Sequence, residues 1–316
     1  MRRKFVKICL YLLLIVNLTL AHNVLLSTSD LYSNFTQNVS DYFCSAKVKI
    51  FMTYYKPFQL PKKGKIIQPI QVGRAIEKEP FIGGGLSEED VSWLHENMLG
   101  DDTGDNISAK NRSFDVLTAY YWVWKHYKEI GNPEYIGFFA HSKILIVTPT
   151  QMRKYNRHIA DFGIDEKRLV KLLKEHKVIT WAWTPYFVRD GKNISTTTYE
   201  NYKAYHKIED LEQMINLVRK KYPNMTEAMN KVLYDVKPQP IWNYWIMEKE
   251  LAFDYFEKLF DIMFELEKDI GSDVQKRDFY QRRAFGLLAE RFFAFWLEYQ
   301  IQIGMASPLI VEQQHL

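Results

Sequence analysis

The chain has 316 residues, 47% hydrophobic and 25% charged, with a formal net charge of +4, which suits one large or two modest folded domains and excludes a disordered or fibrous chain. Arg2, Arg3, Lys4 and Lys7 supply the whole excess of charge, since the first acidic residue is Asp30, so the remaining body is neutral and no nucleic-acid partner is expected. The two cysteines, Cys9 and Cys44, exclude a disulfide-stapled scaffold.

Those four basic residues precede an apolar run from Ile8 to Val16, followed by Leu18-Thr19-Leu20-Ala21 with small residues where a signal peptidase reads. Residues 1–21 are therefore either a signal peptide or a short signal anchor. Either form directs the protein to the secretory pathway, meaning the endoplasmic reticulum or Golgi lumen or the outside, and in a bacterium to the cell envelope. Contact with a membrane is expected only through this segment, if it is kept. Asn17, Asn34, Asn38, Asn106, Asn111, Asn193 and Asn224 each begin an Asn-x-Ser/Thr acceptor, in keeping with a glycosylating pathway. Residues 22–46, polar and aperiodic, are read as a stem.

The folded part is expected over 47–305. Val48, Ile50 and Met52 alternate with their neighbours as in a strand. Proline and glycine at Pro57, Pro61 and Gly64 then lead to a turn near Gln71 and Gly73. Gly83-Gly84-Gly85 reads as a flexible connection without phosphate-loop spacing, and Ser87-Glu88-Glu89-Asp90 caps a helix. A helix is predicted over 113–128. Apolar strands are predicted over 135–139, 143–147, 178–183 and 241–247, with helices over 165–175, 208–221, 226–234, from 248 through Leu266, and 277–303. Strands this apolar suit a sheet covered on both faces, and their alternation with helices predicts an α/β core of mostly parallel strands. Residues 306–316 are left as a tail.

One stretch looks like a site. Asp101-Asp102-Thr103-Gly104-Asp105-Asn106-Ile107-Ser108 brings three carboxylates, an amide and two hydroxyls around a glycine, a loop able to aim several oxygens at one hydroxyl-rich or cationic ligand. The same residue types also build turns and helix caps. The aromatic helix that follows places Leu117, Tyr120, Tyr121, Trp124 and Tyr127 on one face and Thr118, Trp122 and Lys125 on another.

The loop belongs to an ordered series of blocks. After it come Leu117-Thr118-Ala119 with Tyr121-Trp122 and Trp124-Lys125, Tyr135-Ile136-Gly137, Tyr199-Glu200 to Tyr202, and His206-Lys207-Ile208-Glu209-Asp210-Leu211. The series closes with Asn243, Ile246-Met247, Lys249-Glu250-Leu251, Leu259-Phe260-Asp261-Ile262, Phe285-Gly286-Leu287-Leu288 and Glu290-Arg291. Together these blocks, spanning about 47–303, resemble the glycosyltransferase-like domain family, long filed as of unknown function, of capsular and cell-surface polysaccharide loci. The resemblance implies a GT-A-like, Rossmann-related α/β fold with a mostly parallel sheet flanked by helices and a helical C-terminal part. It implies a nucleotide-sugar as co-substrate, bound at the carboxyl ends of the strands, and transfer of a hexose to a saccharide or glycoconjugate acceptor. A non-catalytic descendant that binds saccharide is the alternative.

On that resemblance, catalysis is expected at Asp102, Asp105 and His206, and sugar or acceptor contacts at Asp101, Asn106, Asn111, Thr118, Trp122, Lys125, His141, Lys143, Asn243 and Arg283. Donor contacts are expected at Tyr54, Lys56, Gln71 and Gly73. The acidic residues either grip sugar hydroxyls or hold a divalent ion, Mg or Mn, for which no clear motif is present. His206 is either a proton acceptor or a structural hydrogen-bond partner, and Arg283 and Arg291 either meet phosphate or form an ion-pair face with Glu290. The chain departs from the family at Phe138-Phe139-Ala140-His141-Ser142-Lys143-Ile144, where relatives carry His-Tyr-Arg-Arg-Tyr. It departs again at Val116, where they carry Glu, and at Tyr54 or Tyr55, where they carry His.

Overall fold

The computed structural model describes residues 46–62, 64–80, 84–147 and 163–316. The expected signal, nearly all of the stem, the acceptors at Asn17, Asn34 and Asn38, and Gly83 lie outside the described residues. Residues 46–316 form one unit.

In chain order, β1 (Val48–Tyr54) and β2 (Ile67–Gln71) are followed by α1 (Glu88–Asn97) and the short β3 (Leu99–Gly100). The Ser87 hydroxyl accepts from the Asp90 N–H while the Asp90 carboxylate accepts from the Ser87 N–H, so α1 opens with the expected capping box. The predicted helix over 113–128 is broken into α2 (Asn111–Phe114) and α3 (Leu117–Lys125) by Asp115. Next come β4 (Tyr135–Ala140), β5 (Lys143–Leu145), α4 (Glu166–His176) and β6 (Val178–Thr180), the second and last of these strands shorter than their apolar runs suggest. A hairpin of β7 (Tyr186–Arg189) and β8 (Lys192–Ser195), with no expected counterpart, leads into α5 (Thr198–Tyr205), α6 (Ile208–Lys221) and α7 (Thr226–Tyr234). Of the strand predicted over 241–247 only the end is extended, as β9 (Trp245–Glu248). Then follow α8 (Lys249–Val274), α9 (Ala284–Gln302), which starts seven residues later than predicted, β10 (Leu309–Ile310) and β11 (Gln313–His315).

The main sheet runs β10-β6-β9-β4-β1-β2-β3. β1 pairs in parallel with β2 and β4, and β2 with β3, while β9 is antiparallel to both β4 and β6. Alternation along β1 sends Phe51 to one core and Val48, Ile50, Met52 and Tyr54 to the other, so the sheet is covered on both faces as its apolar strands require. The first face carries α3 and the C-terminal helices, with α9 buried almost all round; the second carries α1 and α4.

The expected tail is part of this sheet. β10 pairs in parallel with β6, and β11 pairs antiparallel with β5. Strands of two and three residues carry no readable period, yet they cover backbone edges that would otherwise be left open. Chain order reverses across β1, because the β1-β2-β3 series lies to one side of it and β4 to the other. In open α/β sheets such a reversal places the ligand crevice beyond the carboxyl ends of the strands.

Candidate active site

The acidic loop is mostly a clamp. Asp101 is fully buried, and its carboxylate accepts from the Gly73 N–H at 2.8 Å, the Arg74 N–H at 3.1 Å and the Ser108 hydroxyl. Burial raises its pKa while these bonds pull the other way. Asp102 lies against Gly100 and Arg74. Asp105 accepts from the Tyr121 hydroxyl at 3.0 Å, and the Asn106 amide donates to the carbonyls of Asp102 and Gly104, closing an Asx turn. The Trp122 indole donates to Thr103 and stacks on His126, while Lys125 lies 3.8 Å from the Trp124 ring centroid. The expected sugar contact is therefore corrected for Asp101, Asn106 and Trp122, and the expected catalytic role for Asp105, because their polar atoms tie the loop together and to β2 and α3; Asp102, beside Arg74, and Lys125, over Trp124, do not line the cavity that opens downstream. The loop carboxylates do not converge either. Among the described residues no group of three or more His, Cys, Asp or Glu side chains is placed to hold a metal ion, so no step through a metal is derived.

Just downstream, a cavity of about 230 Å³ opens at the carboxyl ends of β1 and β2, lined by Tyr55, Val72, Asn111, Arg112, Asp115, Phe279, Arg282 and Arg283. Asp115 anchors it. This residue has φ 53 and ψ −133, a conformation costing a side-chain-bearing residue on the order of 1–3 kcal/mol and kept only where the surroundings enforce it. Here they do. The Asn111 amide and the Thr118 hydroxyl both donate to its carbonyl, and the Arg283 guanidinium holds its carboxylate with Nε at 3.0 Å. Gly286 leaves room for it, since a Cβ there would come within 2.7 Å of the Asp115 Cβ. Asp115 raises the pKa of Arg283, fixing its charge. Burial lowers the Arg112 pKa, with Glu79 opposing and nearby Arg282 adding to the fall, and Arg282 Nε is buried without a partner. Glu79 faces Arg112 at 3.9 Å from outside the lining, so within the lining three guanidinium groups stand against the Asp115 carboxylate and make a concavity suited to an anion.

Beyond Arg283 and Asp115 the site continues to Glu290 on α9. It pairs with Arg291 at 2.7 Å and keeps 16% of its side chain exposed. Burial pushes its carboxyl up to about 7 against the pull of Arg291 and Arg283, with Asp115 adding to the rise. The reading of Arg291 as part of a solvated ion-pair face fails, because its side chain is 5% exposed and bonded to the Leu287 carbonyl. Tyr244 and Lys143 border the same place. Burial, then Glu290 and Asp115, raise the Tyr244 phenol, while burial lowers Lys143, with Glu290 opposing and Arg283 assisting. Asn243 donates to the Gly286 carbonyl and leaves its Oδ1 buried and unpartnered.

Of the remaining expected residues, Asn111 and Arg283 line the cavity, and Gly73 packs on Asn111, whose side chain lies 2.7 Å from where a Cβ would stand. Thr118 is buried and works through Asp115. The donor role expected of Tyr54 is corrected: its hydroxyl donates to the Gln59 carbonyl inside the core, and Tyr55 faces the cavity instead. Lys56 sits over the Tyr55 ring. The buried Gln71 is committed to Arg74 and Glu77, and His141 is wedged among Tyr54, Tyr55 and Phe58 with its pKa lowered chiefly by burial. Neither is free to meet a ligand. His206 lines a different concavity, of about 410 Å³, with Lys207, Asp273 and Arg277, and no residue lines both. Burial, with Arg291 adding, pushes its pKa down to about 4, so the imidazole is neutral at pH 7. Sequence reasoning missed Arg112, Asp115, Arg282 and the importance of Glu290. One signal was available, since Glu290-Arg291 is the one charged pair in the otherwise apolar stretch 284–297, and burying it is costly unless it has work to do.

A search of curated proteins found no match. Among solved structures, the apo structure of the bifunctional glycosyltransferase WbbM superposes with a TM-score of 0.67 at 26% identity, covering 85% of this chain and 45% of that one. The two share the GT-A-like α/β fold, and this chain spans less than half the length of that structure. The family model described as "Domain of unknown function (DUF4422)" matches residues 49–301, and on that match the chain belongs to the DUF4422 family, a family of glycosyltransferase-like domains.

Proposed function

We propose that the protein is a glycosyltransferase that moves a hexose from a nucleotide-sugar donor to a saccharide or glycoconjugate acceptor. One observation carries the reading: Arg112, Arg282 and Arg283 converge on a cavity at the carboxyl ends of β1 and β2, beside Glu290 with its raised pKa. The guanidinium groups bind the donor diphosphate and offset the charge that grows on it as the glycosidic bond breaks. Glu290 accepts the proton of the attacking acceptor hydroxyl, and Asp115 holds Arg283 in place. Support from similarity comes from the likeness to the bifunctional glycosyltransferase WbbM. We place the activity in the secretory pathway or cell envelope on the strength of Arg2 to Ala21 alone.

The test is incubation of the full chain with a panel of nucleoside diphosphate hexoses, following release of nucleoside diphosphate with and without saccharide. Release that Arg282→Met and Arg283→Met both suppress supports the reading; release unaffected by either variant, or none from any donor, refutes it.

A further inference from the structure

Around Tyr244, whose phenol feels Glu290, the protein carries an aromatic wall that packs only partly into its two cores. Trp181 and Trp183 follow β6, and Trp242 and Tyr244 precede β9. Since β9 runs antiparallel to β6, both pairs emerge at the same edge of the sheet. The backbones of Trp183 and Gln239 bond each other in both directions and brace the two segments. Trp242 lies 5.7 Å from Trp181, 6.5 Å from Trp183 and, nearly parallel, 5.9 Å from Tyr244. Tyr186 extends the row at 5.3 Å from Trp183.

This wall is unlike the interior. Trp245 and Trp296 are fully buried, whereas all five rings of the wall retain partial exposure. The Nε1–H groups of Trp183 and Trp242 are shielded from water yet find no acceptor, as in the fully buried Trp245, and the Oδ1 of Asn243, next to Trp242 in the chain, finds no donor. An N–H left unpaired under cover is costly, and at Trp183 and Trp242, unlike Trp245, it belongs to a ring that stays partly exposed, which points to a ligand bearing hydrogen-bond acceptors. Indole faces with hydrogen-bonding rims match a pyranose ring, which offers a flat C–H face and a fringe of hydroxyls. Charge narrows the class further. Lys143 Nζ lies 4.2 Å from the Trp242 ring centroid, and Glu290 is close enough to act on both Lys143 and Tyr244, so one charge of each sign offsets the other and favours neither an acidic nor a basic sugar.

We propose that this wall is the acceptor subsite and that its occupant is a neutral pyranoside stacked on Trp242 with one hydroxyl directed at Glu290. The inference rests on the glycosyltransferase reading for the role of the sugar as acceptor, but the saccharide site itself stands on the wall.

The experiment is a titration of the full chain with methyl β-glucopyranoside, methyl β-galactopyranoside, lactose, glucuronic acid and glucosamine, read by tryptophan fluorescence and saturation-transfer NMR. It is repeated on Trp242→Ala and on Trp183→Phe, which keeps a ring but removes the N–H. The expected result is binding of a neutral sugar that weakens about tenfold in Trp242→Ala and a few-fold in Trp183→Phe, with unchanged far-ultraviolet dichroism in the phenylalanine variant. No binding by any sugar, preference for a charged one, or neutral-sugar binding that both variants leave intact overturns the proposal. If no donor is ever turned over but the variants still lose neutral-sugar binding, the enzyme reading falls and the saccharide subsite stands.

Discussion

Replacing Glu290 by Gln should separate stability from activity. The carboxyl is raised from its ordinary 4.5 to about 7 mainly by burial, so the folded state holds its proton more tightly than the unfolded one. Stability contributed by this group is therefore greatest at low pH. It declines by roughly 3 kcal/mol as pH climbs from 4.5 to about 7 and is level above that. Glutamine imitates the protonated form at every pH. The variant should thus match the wild type near pH 4.5 and melt roughly 6–12 °C higher at pH 8, at about 2–4 °C per kcal/mol for a domain of this size. Donor-dependent transfer should show the opposite trend: the wild-type rate rises with pH through about 7, and the variant loses on the order of 10²–10⁴ in rate. Calorimetry across pH and an initial-rate pH profile make the test. A variant less stable at pH 8 would refute the burial argument, and one that retains activity would refute the role of the carboxylate.

Arg282→Met should raise the KM for donor about tenfold or more and flatten its dependence on salt, because a desolvated guanidinium–phosphate contact is lost; initial rates at two ionic strengths check this. Asp115→Gly and Asp115→Ala should both lose activity as Arg283 is released, but the glycine variant should melt higher, by about 1 kcal/mol in stability, since only it tolerates φ 53 and ψ −133 without strain. Asp101→Ala should cost roughly 3 kcal/mol of folding stability by leaving the N–H groups of Gly73 and Arg74 and the Ser108 hydroxyl unpaired, whereas Asp105→Asn, at an exposed hydrogen bond, should keep transfer within about twofold. Denaturant melts and rates on the two variants separate a clamp from a catalyst.

Much of the fold could be read in advance because burial leaves period and composition behind. The apolar runs at 48–52 and 135–139 are buried on both faces and became the central strands β1 and β4, and the stripe Leu251, Tyr255, Leu259, Ile262, Leu266 packs into the core along α8. What stayed hidden depends on contacts far apart in sequence. The antiparallel insertion of β9 between β4 and β6, and the return of β10 and β11 to the sheet, are set by pairing partners that lie up to 172 residues away, as between Lys143 and His315. The site was obscured for the same reason. Asp115, Arg283 and Glu290 belong to separate blocks, and nothing local to Phe114-Asp115-Val116 announces a residue at positive φ.

The acidic loop misled because its composition is that of a ligand site while its atoms serve one at second hand. The Asp101 carboxylate fixes the backbone at Gly73, where a left-handed φ of 68 and the lack of a side chain let Asn111 approach to 2.7 Å of the missing Cβ. Asn111 then uses its amide to hold the Asp115 carbonyl in an unfavourable backbone conformation, and Asp115 orients Arg283 at the cavity. A buried acid with three donors serves this chain of contacts better than a free one, because every lone pair spent on the backbone removes a degree of freedom from the strained residue downstream. On that account the Asn111-Arg112-Ser113 acceptor cannot carry a glycan in the folded protein, since the nitrogen to be modified already donates to Asp115 at 2.7 Å and to Thr118 at 3.2 Å. A glycan found at Asn111 on the folded, active protein would break the relay and with it the placement of Arg283.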